Sequence, residues 1–257
     1  MSIKTSLLKP SLMSLSVLTF STLSTQAMAE KTPLKKAYQE PTRGFFIEHG
    51  VVAPSGRASV ELYTGSNELN ALMSSGGGIR LGLPNAELIL NSGFDEYDSN
   101  EALLKWALPR QNKEGTKQTP LHWSVLAGVS HTDIDREAAG ADTTLTSLKL
   151  GLAMTVQADA GLFTATPKLV YADNDVDSDT FVELDLGGYV GLIETEAGLF
   201  SAGVEAIFTS EDNRDNSFAL GMRWAYNERL TLDIVPVVLS NNDLTGVPGL
   251  VRLNVNF

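Results

Sequence analysis

From residue 56 to the end of the chain, apolar and polar positions alternate. Over 218–226 the large apolar residues are Phe218, Leu220, Met222, Trp224 and Tyr226, separated by Ala219, Gly221, Arg223 and Ala225. Over 182–192, Val182, Leu184, Leu186, Val190 and Leu192 share one face, and Glu183, Asp185, Gly187, Tyr189 and Gly191 share the other. Over 148–156, Leu148, Leu150, Leu152, Met154 and Val156 oppose Lys149, Gly151, Ala153 and Thr155. A period of two is that of a strand whose faces meet different surroundings. Similar segments run near 56–65, 77–84, 86–94, 102–110, 121–131, 161–172, 198–210 and 229–240, and the chain ends on GLVRLNVNF. That makes about twelve, most of them near the roughly 9–11 residues that a membrane-crossing strand needs. Pro84 and Pro109 make 77–84 and 102–110 the least regular of the set. No helical period competes over a comparable length.

The connections fall into two classes that alternate. Pro84-Asn85, Ala158-Asp159-Ala160, Glu196-Ala197 and Asn227-Glu228 are short, with 111–119 as the longer exception. FDEYDSNE, HTDIDREAAGAD, DNDVDSD and SEDNRDNS are longer and acidic. Short turns at one end and longer loops at the other are the layout of an up-and-down barrel that crosses a membrane, and an even strand count brings both chain ends to the short-turn side. Residues 30–55 do not fit the count. GFFIEHGVVAPSG reads as an extra strand, a lead-in to the barrel or a segment inside it, and a lead-in is the expectation.

Alternation does not by itself say which face meets which solvent. The polar face carries about one charge per strand: Glu61, Arg80, Glu87, Lys105, Lys149, Lys168, Glu183, Asp185, Glu205, Arg223, Asp233 and Arg252. An Arg or Lys of a transmembrane strand costs roughly 2–4 kcal/mol when it faces lipid at mid-depth, so this face must meet water or a polar lumen. About eight strands close a barrel that side chains alone can fill. Twelve leave too wide an interior for an apolar core of Leu, Val and Gly. The expected architecture is therefore an all-β, antiparallel, up-and-down transmembrane β-barrel over 56–257, with the charged face inside. A periplasmic sandwich or soluble barrel, with those charges on a solvated face, is the alternative.

The N-terminus changes the picture. Lys4 and Lys9 precede a short apolar run over 12–20, and Ala27-Met28-Ala29 fits a small-x-small cleavage site, so 1–29 reads as a secretory signal peptide. Its removal takes two lysines and no acid, so 19 basic and 31 acidic residues become 17 and 31, a net charge of −14. That balance argues against nucleic acid and against docking on anionic lipid through a basic patch. The exported chain has no cysteine, so disulfides do not hold it together. After the leader no stretch is apolar for the 18 residues that would make a helical span, although 43% of residues are hydrophobic.

The last five residues, Leu253, Asn254, Val255, Asn256 and Phe257, resemble the closing strand of Gram-negative outer-membrane β-barrel proteins. In that family an alternating strand with a terminal Phe is read by the barrel-assembly machinery. The resemblance implies an outer-membrane location, surrounding lipid and lipopolysaccharide, and an assembly signal in Val251, Leu253, Val255 and Phe257. It says nothing about cargo, and no narrower subfamily is indicated.

Candidate chemistry is sparse. Around the circuit Glu205, Arg223, Asp233, Arg252, Glu61, Arg80, Glu87 and Lys105 largely alternate in sign, which predicts cross-strand ion pairs. Those pairs either line a narrow channel for passive diffusion of small polar solutes, or fill and close a barrel with a structural or surface-interaction role. Lys149 and Lys168, preceding Glu183 and Asp185, separate charge and would set a transverse field. Asp173, Asp175, Asp177 and Asp179 alternate in an acidic loop, but Ser178 and Leu184 stand where a calcium-binding loop needs Gly and Glu. That loop reads as solvated, or as a loose divalent-cation site near lipopolysaccharide phosphates. His122 and Ser124 share a face and resemble the His-x-Ser pair of lipid A deacylase barrels, which makes an acyl hydrolase the less favoured alternative. The expected facing turns that pair toward the lumen, and no acid stands near in sequence to orient the His. Gly76-Gly77-Gly78 has no following helix to receive a phosphate and reads as a flexible hairpin entry. Trp106, Trp123, Trp224 and Tyr226 fall on the apolar face, where an interfacial girdle would lie. No cofactor is implied.

Overall fold

A computed structural model of the chain describes residues 42–257 apart from 66–73, 94–96, 110–120, 135–142, 159–160, 175–176, 212–215, 228, 241–242 and 247–248. The expected leader and residues 30–41 lie outside the described residues, as do Asp175 and the connection 111–119.

The described strands are β1 (Ala58–Gly65), β2 (Ser74–Leu83), β3 (Ala86–Gly93), β4 (Tyr97–Ala107), β5 (Leu121–Ile134), β6 (Thr143–Ala158), β7 (Gly161–Asn174), β8 (Ser178–Thr195), β9 (Gly198–Thr209), β10 (Ser217–Ala225), β11 (Leu230–Ser240), β12 (Asp243–Gly246) and β13 (Leu250–Asn256). Each strand from β1 to β11 pairs antiparallel with its chain neighbour. β13 pairs with β11 on one side and β1 on the other, and this closes the sheet. β12 pairs only with β11, so twelve strands form the wall of a closed, all-β, up-and-down barrel.

The alternation sets which side chains go in. Glu61, Arg80, Glu87 and Lys105 are at most 2% exposed, whereas Leu62, Leu148, Leu150, Leu220 and Met222 are more than half exposed. The charged face is inside and the apolar face is outside, the reverse of a water-soluble barrel. Along β1 the pattern holds residue by residue, with Ser59, Glu61 and Tyr63 in and Val60, Leu62 and Thr64 out.

Departures from regular pairing fall at prolines, at turns and at Leu192, where the β8–β9 register shifts. Pro84 and Asn85 make the β2–β3 turn, in which Asn85 adopts a positive φ of 58°. Pro167 lies inside β7, and the β6–β7 ladder omits the pairs between Gly151/Lys168 and Met154/Ala165, where proline has no N–H to give. Pro236 falls where the β10–β11 register shifts, a bulge that absorbs the same loss. β2, β4, β5, β6, β7 and β8 run two to five residues past the apolar alternation at their loop ends. Those extensions are largely polar, as in Ser178, Asp179 and Thr180 of β8, which are exposed on both faces.

Residues 42–57 do not form a lead-in outside the barrel. Residues 42–50 fold inside it as a tight turn, closed by Gly44 N–H to Ile47 O (2.8 Å) and His49 N–H to Thr42 O (3.0 Å), with Arg43 and Glu48 bridged. The chain then descends to the short-turn end. There Arg57 N–H bonds Pro54 O, Gly56 N–H bonds Gly82 O (3.0 Å), and Gly56 takes a positive φ of 81° that suits glycine. It reverses into β1 at Ala58. Phe45, Ile47 and His49 are at most 1% exposed. We call residues 42–54 the stopper.

Candidate functional site

The site is the barrel interior where the stopper sits. A wall of twelve strands encloses more room than its own side chains fill, and the stopper supplies the missing core. Phe45, Phe46 and Ile47 pack with Tyr63, Ile207, Ala219, Val235, Val238 and Leu250 in one buried apolar cluster. Phe45 meets Tyr189 edge-on at 5.6 Å between ring centres, and His49 meets the same ring at 5.1 Å. The wall is hollowed to receive the ring. A Cβ at Gly221 would stand 2.7 Å from Phe45, and one at Gly203 would stand 3.0 Å from it.

Polar contacts hold the stopper on opposite arcs of the wall. On the β1–β4 arc, Arg43 pairs with Glu61 (2.9 Å). Glu48 pairs with Arg80 and with Lys105 (3.0 Å). Lys105 also donates to Thr42 O (2.8 Å). On the arc from β9 to β13, Arg223 donates to Arg43 O (3.1 Å) and Gly44 O (3.0 Å), and Arg252 donates to Phe45 O and Gly44 O (both 2.7 Å). Glu205 accepts the N–H groups of Phe45 and Phe46 and the hydroxyl of Tyr189. Between the arcs, Thr166 donates to Glu48 O (3.1 Å), and Thr155 Oγ1 accepts Gly50 N–H (2.8 Å). Burial opposes ionisation of Glu48, but Arg80, Lys105 and Arg43 around it override burial and hold its carboxyl well below the usual carboxylate range.

All twelve charges singled out from the alternation point inward. Nine of them are buried, and Lys149, Lys168 and Arg223 are 15–16% exposed at the side chain. The cross-strand pairs Arg223–Asp233 (2.6 Å), Arg252–Asp233, Glu61–Arg80 (3.0 Å), Arg80–Glu87 (2.9 Å) and Glu87–Lys105 (2.7 Å) are formed. Two expected neighbours do not meet as ion pairs. Glu205 binds stopper amides rather than Arg223. Glu61 is reached by Arg43 and by Asn254 (3.1 Å), while Arg252 turns to Asp233. Lys168 bridges Glu183 and Asp185 (2.9 Å), and Lys149 pairs with Glu101 (3.0 Å), so the basic and acidic groups expected to stand apart are paired, with one acid in excess.

Arg43, Glu48, Tyr189 and Glu101 belong to these networks and lay outside the expected charge set. Glu101 hid in the acidic run FDEYDSNE, which in fact enters β4, where Glu101 also accepts from Asn91 (2.8 Å). Arg43 and Glu48 stand in a segment without periodicity. The only signal for them was a mixed-charge, aromatic stretch that the strand count could not use.

His122 and Ser124 are both buried on the interior face of β5. Among the described residues Ser124 Oγ has no hydrogen-bond partner, so the Ser–His hydrogen bond that activates a nucleophile is not made. Asp173, Asp177 and Asp179 are exposed, and among the described residues no three His, Asp or Glu side chains converge to hold a metal. Gly76, Gly77 and Gly78 are part of β2, not a flexible entry. Gly77 faces outward and floors an open exterior groove of about 660 Å³ walled by Leu62, Ile79, Leu90 and Val129. Trp106 is 55% exposed on the outside. Trp224 stacks on Phe200 at 6.0 Å and lies edge-on to Tyr226 at 5.7 Å, near the short-turn end. In β13 and at the residue after it, Val251, Leu253, Val255 and Phe257 lie off the interior face that Arg252 occupies, and Phe257 is 68% exposed. The chain matches no family model and no curated protein.

Proposed function

We propose that this protein is a β-barrel of a Gram-negative outer membrane whose lumen is a channel for small polar solutes, closed at rest by its own residues 42–54. The observation that carries this reading is the charged interior wall, stoppered by a segment that leads into β1 and is otherwise held by side-chain and backbone contacts without a covalent bond to the wall. The apolar exterior and inward cations support residence in lipid, since the opposite facing would cost roughly 2–4 kcal/mol per Arg or Lys. The reading includes export by residues 1–29 with cleavage near Ala29, contact with lipid and lipopolysaccharide around the belt, and recognition of Val251, Leu253, Val255 and Phe257 by the assembly machinery.

Planar-bilayer recording tests the channel. Wild-type protein is expected to be mostly silent and Arg43→Ala/Glu48→Ala to conduct. Silence of both at every voltage would overturn a channel. It would favour the second reading, a permanently closed barrel with a structural or surface-interaction role. That reading has its own support in the fit of Phe45 against Gly203 and Gly221.

A further inference from the structure

We infer that the interior wall at the height of the stopper is a peptide-binding site, occupied in cis by residues 42–50. It takes short peptides that carry one basic and one acidic side chain about an apolar centre. The site rests on the stoppered-channel reading only for the route by which such a peptide enters.

The wall addresses the stopper mainly through its backbone, which every peptide shares. Arg223 and Arg252 take three consecutive carbonyls, of Arg43, Gly44 and Phe45. Glu205 takes two consecutive amides, Lys105 and Thr166 take two further carbonyls, and Thr155 takes a further amide. Glu205 decides between a ligand site and simple filling. It is 2% exposed and, among the described residues, makes no ion pair with a wall cation. A buried carboxylate left without its partners is costly, and here its partners besides Tyr189 are amides of the guest.

Side-chain recognition is equally specific. Glu61 meets the guest's guanidinium, Arg80 and Lys105 meet its carboxylate, and Gly203 and Gly221 leave room for its ring. The wall's own charges at this height balance, with Arg80, Lys105, Arg223 and Arg252 against Glu61, Glu87, Glu205 and Asp233. A guest of single sign would leave one buried charge unmatched. A zwitterionic guest leaves none.

The test uses the full chain with a protease site inserted between Gly56 and Arg57, in the exposed turn outside the stopper. The protein folds with its stopper in place and is then nicked, which makes the whole piece N-terminal to the cut, the stopper included, exchangeable. A fluorescent peptide TRGFFIEHG is expected to bind saturably to the nicked protein and to the uncut Arg43→Ala/Glu48→Ala variant. The same peptide carrying Arg43→Glu and Glu48→Arg, identical in net charge, is expected to bind about tenfold more weakly or worse, as loss of charged hydrogen bonds demands. No saturable binding to either protein, or equal binding of both peptides, overturns the site. If the double variant conducts and the peptide neither binds nor blocks, the site fails while the channel stands. If the peptide binds and no current is seen, the channel fails while the site stands.

Discussion

Glu48 is the stopper side chain that meets three cations, Arg80, Lys105 and Arg43. Replacing it by Gln leaves Arg80 and Lys105 buried with one anion fewer, and removal of one partner from a buried pair costs about 3–5 kcal/mol. Urea unfolding of refolded protein should show a loss of that order, softened by Glu61 and Glu87, which still face Arg80. The folded-state pKa of Glu48 lies below its ordinary value of 4.5. Its contribution is therefore fully present above about pH 4.5 and is lost as the pH falls from there toward the lowered value. Conductance should rise in that acid window in wild type, and the rise should shrink in Glu48→Gln. A response of wild type that stayed flat from pH 6 down through the whole of that window would contradict this linkage. Gly221 makes a steric prediction. Gly221→Val drives a side chain into the Phe45 ring and should lower stability by about 1–3 kcal/mol, the usual cost of overpacking. Phe45→Ala added to Gly221→Val should cost less than the two single effects summed, which a double-mutant cycle measures.

At the scale of elements, the wall was legible in the sequence and its contents were not. Leu148 to Val156 and Phe218 to Tyr226 announce strands because neighbouring positions face opposite surroundings. The same alternation identified twelve inward charges. Strand ends were less legible because Ser178 to Thr180, or Glu101 in β4, are polar on both faces, and polar runs look like loops. The stopper had no local signature. Its internal backbone contacts span only a few residues, while its anchors lie at separations up to 208 residues, as between Gly44 and Arg252. Periodicity cannot report partners that distant. β13 shows how one element can divide its roles. Arg252 holds the stopper, whereas Phe257 is 68% exposed and ties in through its amide to Ala58 O (2.8 Å). Under the proposed assembly role, deleting Phe257 should lower the amount of barrel assembled in the outer membrane while barely moving the unfolding midpoint of protein refolded in detergent. A large shift of that midpoint would instead make Phe257 a packing residue.

At the scale of the whole molecule, the barrel builds two unlike faces with one sequence period, apolar outside and charged inside. Outside, Leu62, Leu150, Leu220 and Met222 form part of an apolar belt. Inside, charges are paired within two networks, a balanced one around the stopper and one of Lys149, Lys168, Glu101, Glu183 and Asp185, which holds one acid in excess. The protein should need detergent or lipid to stay in solution, and its mobility on a detergent gel should change on boiling. Solubility as a monomer in plain buffer would refute the facing of the belt.

The stopper joins the wall at β1, next to the seam where β1 meets β13, and it touches both sides of that seam through Arg43–Glu61 and Arg252–Phe45. While the seam is open, the segment can be laid against the sheet from the side. Once the seam has shut, it can arrive only by threading through the short-turn end. Residues 42–54 thus have the position of a mandrel, a form around which the sheet curls before its first and last strands meet.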